Sequence, residues 1–254
     1  MALLASGSSG NAALVYAGDA GVLIDCGISA RQVRLRIEAA GLAHVRIEAV
    51  ALTHEHVDHV AGVRVLARRL GVPVLATRGT LTAARDALAD VPERAMVRPG
   101  ETVRVGGLAL LPFRSSHDAE EPVGFRVAFP SGRVLGYLSD SGTLGGEAAE
   151  ALSGCHTLAI EANHDVEMLE RGPYPPFLKR RIRSTVGHLS NDDAATALAL
   201  LAHDGLATVV GLHLSQQNNT PHAALAALVE ARDRVGLACT VAAASQHEPL
   251  VCGV

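Results

Sequence analysis

The chain has no tryptophan, three tyrosines, four phenylalanines and a single lysine, Lys179, among 254 residues. Its cysteines, Cys26, Cys155, Cys239 and Cys252, stand far apart with no Cys-x-x-Cys pair, so they are read as small buried apolar residues. No apolar run approaches the roughly 18 residues that a membrane span needs, and the best candidate, Ala194–Ala202, falls well short. The opening MALLASGSSGN lacks the basic stretch and apolar run of a secretory signal, which makes the expected location cytoplasmic. Charge is sparse as well. With 19% charged residues, 48% apolar residues and a net charge of −4, the composition excludes a disordered or fibrous chain and a uniformly basic surface. It does not exclude a local basic patch or a bound cation. No stretch reads as a linker or repeat, so residues 1–254 are expected to form one domain with a sizeable core.

What the chain has in excess is histidine, twelve in all. Short apolar runs, Val22–Asp25 and Ala49–Thr53, predict buried strands. Apolar residues at helical spacing predict helices over Ala30–Ala40 and Asp58–Leu70, stopped by Gly41 and Gly71. From Thr102 to Ser139 the pattern turns to successive strands, with hairpin turns at Gly106-Gly107 and Ser131-Gly132. Alternation then returns. A helix over Asp192–His203 capped by Asn191, a strand Thr208–Leu214, a helix opening at Thr220-Pro221 and a strand near Cys239–Ala244 are expected. Strands and helices mixed along the whole length predict a layered α/β sandwich.

The chemistry concentrates in Thr53-His54-Glu55-His56-Val57-Asp58-His59, between a predicted strand and a predicted helix. Imidazole and carboxylate suit zinc, manganese or iron, and a strand-to-helix turn can aim several side chains into one small space. Soluble proteins seldom crowd ionisable groups in this way without a compensating ion.

This motif resembles that of the metallo-β-lactamase superfamily, which implies a four-layer αβ/βα sandwich with two metals along one edge. The resemblance extends to His117 in Ser115-Ser-His-Asp118, Asp140 in Tyr137-Leu-Ser-Asp140 and His213 in Gly211-Leu-His-Leu-Ser215. It implies that His54, His56 and His117 hold one metal, that Asp58, His59 and His213 hold the other, and that Asp140 is shared. Paired metals of this kind, about 3.5–4 Å apart, suit phosphate-ester hydrolysis by polarising the ester and activating water. The ligand types disfavour di-iron oxygen-reducing members, which carry Glu at the position of His56, and β-lactamases that use a cysteine ligand. Glyoxalase-like thioesterases share all seven ligands.

Further segments are similar to the bacterial YycJ/WalJ-like exonuclease family. They are Ser6-Gly-Ser-Ser-Gly-Asn11, Ser116–Gly124, Glu161–Asp165 through Gly172–Pro175 to Lys179–Ile182, and Leu214–Asn219. The resemblance implies a 5′-to-3′ DNA exonuclease acting in repair with manganese or zinc, alongside repair-protein partners. Separately, Gly187-His-Leu-Ser190 resembles the histidine motif of metal-dependent tRNA-processing nucleases, which implies that His188 protonates the leaving oxygen and Glu161 orients it, while Asp58 is expected to be both ligand and catalytic group. Substrate contacts are expected from Ser8, Asn11, His164, Tyr174, Lys179, Arg180, Arg181, Ser215 and Asn218. The Ser/Gly/Asn loop offers amides and hydroxyls to an anion, and the run Lys179–Arg181 with Arg183 is the densest basic stretch in an acidic chain. Only twenty-two residues separate His117 from Asp140, too few for the substrate-gripping arm of tRNA-processing relatives. The alternatives on the same fold are an RNA-processing nuclease and a small-molecule hydrolase, either a cyclic phosphodiesterase or a glyoxalase-like thioesterase.

Overall fold

A computed structural model describes residues 1–254. The first half lays down β1 (Ala2–Ala5), β2 (Ala12–Ala17), β3 (Ala20–Ile24), α1 (Ala30–Ala39), β4 (Arg46–Ala51), α2 (Val57–Val60), α3 (Val63–Leu70), β5 (Val74–Ala76), α4 (Arg78–Ala83) and β6 (Arg94–Met96). A meander of β7 (Val103–Val105), β8 (Leu108–Arg114), β9 (Val123–Ala128) and β10 (Val134–Leu138) leads to α5 (Gly146–Leu152) and β11 (Thr157–Glu161). The remainder is α6 (Val166–Arg171), α7 (Pro176–Ile182), α8 (Asn191–Leu201), β12 (Thr208–Leu212), α9 (Pro221–Arg234), β13 (Thr240–Ala243) and β14 (Leu250–Val251).

The strands form two seven-stranded sheets, ordered β14-β1-β2-β3-β4-β5-β6 and β13-β12-β11-β10-β9-β8-β7. Each sheet is antiparallel on one side and parallel on the other, the change falling at β3 in the first and at β10 in the second. Both faces of the central strands are buried, which is why they read as continuous apolar runs. In β3, Leu23 packs toward Val33 and Ile37 of α1 and Leu66 of α3, while Val22 and Ile24 face the opposite sheet. In β11, Leu158 and Ile160 pack toward Ala194 and Leu198 of α8, while Ala159 faces the first sheet. Three apolar layers therefore separate helix, sheet, sheet and helix, the αβ/βα sandwich expected. Each fully buried Leu or Ile favours folding by about 1.5–3 kcal/mol relative to exposure. No helix is long and apolar enough to cross a membrane.

Two local expectations are corrected. The helix expected over Asp58–Leu70 is broken into α2 and α3, because the backbone at Gly62 presses against Cys26–Ile28. The Gly62 N–H donates to the Cys26 carbonyl at 2.7 Å, and a Cβ there would lie 2.0 Å from the Ile28 carbonyl oxygen. Helix α8 is capped by Ser190 rather than Asn191. Ser190 and Asp193 form a capping box, and the Asn191 amide instead pairs reciprocally with Asn219 at 3.0 and 2.9 Å.

Candidate metal centre

The site gathers at the carboxyl ends of the parallel strands of both sheets, where α/β folds place their ligands. Just past β4, the turn Thr53–His56 carries two histidines, and the first turn of α2 adds Asp58 and His59. Asp25 follows β3, His117 lies in the β8–β9 connection, Asp140 follows β10, Glu161 ends β11 and His213 follows β12. Asp25, Asp140 and His213 have left-handed backbones, with φ of 58°, 54° and 53°. For residues with a Cβ this conformation costs on the order of 1–3 kcal/mol, and such strain persists where the surrounding structure fixes it.

Donor atoms lie within 4.8 Å of one another in four groups: His54, His56 and His117; His54, His59 and Asp140; Asp58, His59 and His213; and Asp140, Glu161, His188 and His213. Asp140 joins the groups, with Oδ2 3.1 Å from His59 Nε2 and Oδ1 3.2 Å from His213 Nδ1. Outer partners orient several rings. His59 Nδ1 lies 2.8 Å from Asp25 Oδ2, and Asp25 also accepts from the Thr53 N–H and hydroxyl, both at 2.8 Å. His117 Nδ1 lies 3.0 Å from the Gly187 carbonyl, so that nitrogen donates and Nε2 is left for the cluster. The Ser6 hydroxyl accepts from the His213 N–H at 2.7 Å.

The Nε2 atoms of His54 and His213 are buried with no hydrogen-bond partner. Orphaned polar atoms of this kind are rare in folded proteins, and imidazole nitrogens beside carboxylates are donors for borderline divalent cations. The residues fit two cation subsites. His54, His56 and His117 would hold one cation and Asp58, His59 and His213 the other, with Asp140 between them.

Electrostatics follow from the crowding. Burial, and then the neighbouring His59, push His54 well below the ordinary imidazole range and leave it neutral. Burial opposes ionisation of Asp58 and Asp140, yet His213 and His59 hold both carboxyls well below the carboxylate range. His213 is raised to about 10, against burial, by Asp140, Asp58 and Glu161. No cysteine takes part, and burial followed by the Asp25 charge pushes Cys26 up to about 12.

Beside the cluster, His188 Nδ1 lies 2.8 Å from Glu161 Oε1. Glu161 is fully buried, and its other oxygen accepts from the Ser141 and Leu189 N–H groups at 2.9 and 3.2 Å. Its Oε1 is also 2.9 Å from His213 Nδ1, so one carboxylate touches both a cluster ring and His188. Against burial, Glu161 raises the His188 pKa.

His188 lines a cleft of about 170 Å³ with Ser8, Asn163, Tyr174, Arg181 and Ser215. Arg181 pairs with Asp118 at 2.5 Å. Helix α7 borders a second recess, of about 520 Å³, with Lys179, Arg180 and Arg183. There Lys179 donates to the Glu170 carbonyl at 2.6 Å and Arg183 pairs with the Glu170 carboxylate, while Arg180 makes no ion pair. Asn11, His164 and Asn218 are not on the surface, with exposures of 1%, 2% and 1%. His164 Nδ1 and both amide atoms of Asn218 have no partner. The sequence reading missed Asp25, Thr53, Ser6 and Asn163. Asp25 alone had a signal, as a carboxylate at the end of an apolar strand.

A beta-lactamase superfamily domain matches residues 20–214. The chain is 33% identical to exodeoxyribonuclease YycJ of Bacillus anthracis, over 85% of this chain and 83% of that protein. It is 32% identical to exodeoxyribonuclease WalJ of Streptococcus pneumoniae, over 85% and 82%. Among solved structures, it is similar to the metallo-β-lactamase fold protein YhfI of Bacillus subtilis, with 15% identity, TM-score 0.72 and 98% and 97% of the two chains covered. It is likewise similar to Zn²⁺-bound PqqB of Methylobacterium extorquens, with 20% identity, TM-score 0.72 and coverages of 99% and 100%. From the core motif to the full-length relatives, these matches agree: the chain belongs to the metallo-β-lactamase superfamily and, within it, to the YycJ/WalJ family.

Proposed function

We propose that this protein is a metal-dependent exonuclease that hydrolyses DNA phosphodiester bonds from a 5′ end in repair. The observation that carries the reading is His188, braced by Glu161 at 2.8 Å on the wall shared by the donor cluster and the cleft. Kinship with two exodeoxyribonucleases supports DNA as the substrate. Two divalent cations, manganese or zinc, held by His54, His56 and His117, by Asp58, His59 and His213, and by Asp140 between them, would supply the charge that polarises the phosphodiester and activates water.

The chain's own groups do the rest. Glu161 accepts the Nδ1 proton of His188, which leaves the proton on Nε2 free to pass to the departing oxygen. Because Glu161 also touches His213, the proton donor and the cation ligands keep a fixed spacing. Arg181 and Ser8 border the cleft and offer a guanidinium and a hydroxyl to a phosphate, while Tyr174 offers a ring to a base. Arg180 and Arg183, on the adjoining recess, lie where a continuing strand would run. A small-molecule hydrolase has no use for this basic face.

The test is digestion of end-labelled duplex and single-stranded DNA and RNA, each end blocked in turn, with Mn²⁺, Zn²⁺ or chelator. The reading expects DNA shortened from the 5′ end only when a cation is supplied. Cleavage that survives a blocked 5′ end overturns the polarity, and preference for RNA overturns the substrate.

A further inference from the structure

The loop between β1 and β2 carries Asn11 beneath the donor cluster rather than to the cleft. At 1% exposure its side chain is out of reach of a strand, unlike the exposed Ser8 of the same loop. The backbone is clamped on both sides. The Asn11 N–H donates to the Asp58 carbonyl at 2.8 Å, and its carbonyl accepts from the Gly27 N–H at 2.8 Å. Gly27 lets the loop after β3 approach α2 this closely, since a Cβ there would lie 1.6 Å from the Asp58 carbonyl oxygen.

The neighbours also settle which way the amide points. Oδ1 accepts from the Gly7 N–H at 2.9 Å, and Nδ2 faces the Asp58 carbonyl oxygen at 3.4 Å. Reversed, the amide would set N–H against N–H and oxygen against oxygen. In the orientation that remains, Nδ2 lies 3.1 Å from His59 Nε2 and 3.4 Å from Asp58 Oδ2. These are the atoms that His59 and Asp58 offer to the cluster. The positive end of a buried amide dipole therefore faces one cation subsite. No such donor faces His54 Nε2 on the other subsite, which has no hydrogen-bond partner, and neither has His213 Nε2 on this one.

We propose that Asn11 is a positioning residue of the metal centre that holds the Asp58–His59–His213 subsite weaker than the His54–His56–His117 subsite. An amide nitrogen has no lone pair to give a cation, and its N–H groups engage ligand atoms that the cation must share. The chain thus places a donor where a carboxylate would add a ligand, and the two subsites load in order. The second cation is the exchangeable one. This inference rests on the two-subsite reading above.

The experiment is titration of the chelator-stripped, full-length protein with Mn²⁺ by calorimetry. Wild type is expected to bind two ions in two resolved steps. Asn11→Asp keeps an acceptor for the Gly7 N–H and sets a carboxylate oxygen in place of the nitrogen. It should tighten the weaker step at least about tenfold and leave the tighter step within about twofold. Asn11→Ala, which removes the donor and also the acceptor of the Gly7 N–H, should tighten the weaker step a few-fold. Melting curves in chelator show that each variant is folded. If wild type binds two ions and either folded variant binds the second no more tightly than wild type, the role assigned to Asn11 is overturned. If wild type itself binds fewer than two, the two-subsite reading fails instead.

Discussion

The donor cluster and the basic face of α7 lie close together but are built by opposite rules. In the cluster, Asp25 and Asp140 are buried and His59 is wedged between them at 2.8 and 3.1 Å. On α7 and at its C-cap, Arg180, Arg181 and Arg183 are exposed, and two of the three lean on a single carboxylate each. The cluster fixes positions because a cation or a proton transfer tolerates little displacement. Under the proposed nuclease reading the helix would supply charge to a polymer that presents a phosphate at every step, so its side chains can exchange partners. Chemistry here is over-determined and recognition is loosely held.

That contrast is open to direct attack. The largest effect is expected from Asp140→Ala, which removes the group between the subsites. Nuclease activity should fall below detection and bound metal should drop, with the circular dichroism spectrum unchanged. Digestion at the wild-type rate would remove Asp140 from the site. Next comes His188→Ala, for which kcat should fall by about 10²–10⁴-fold with metal content retained. Loss of bound metal would instead place His188 among the ligands. Asp25→Asn tests the outer partner of His59 and should weaken metal affinity by about 10–100-fold. Affinity equal to wild type would show that His59 needs no carboxylate behind it. The smallest effect belongs to the helix. Arg180→Ala should raise KM a few-fold at constant kcat and reduce the salt dependence of DNA binding by about one phosphate contact. A kcat defect from this variant would collapse the distinction between the two regions.

Sequence and structure diverge along the same line. His54, His56, Asp58 and His59 were legible because one turn carries all four, and the layered sandwich because buried strands read as apolar runs. The roles of Asn11 and Asp25 depend on what the other strands bring within 3.5 Å of them, and local periodicity carries no such information. The broken helix at Gly62 has the same origin, since the obstacle is a distant carbonyl, Ile28, and not a local breaker. The Ser190 cap was within reach of sequence, because Ser190 precedes Asp193 by the spacing of a capping box. The two-residue strand β14 was not, being fixed by pairing with Ala2 and Leu3 far away in the chain.

The left-handed backbones at Asp25, Asp140 and His213 bear on how the protein tolerates handling. Each bend lies at the end of a strand whose ladder holds the chain up to the bend. In zinc fingers the metal supplies the folding energy, and removing it unfolds the domain. Here a chelator should remove function and leave the architecture standing. Stripping and reloading then become a reversible exchange at a finished socket, and protein purified in chelator should recover once a cation is returned.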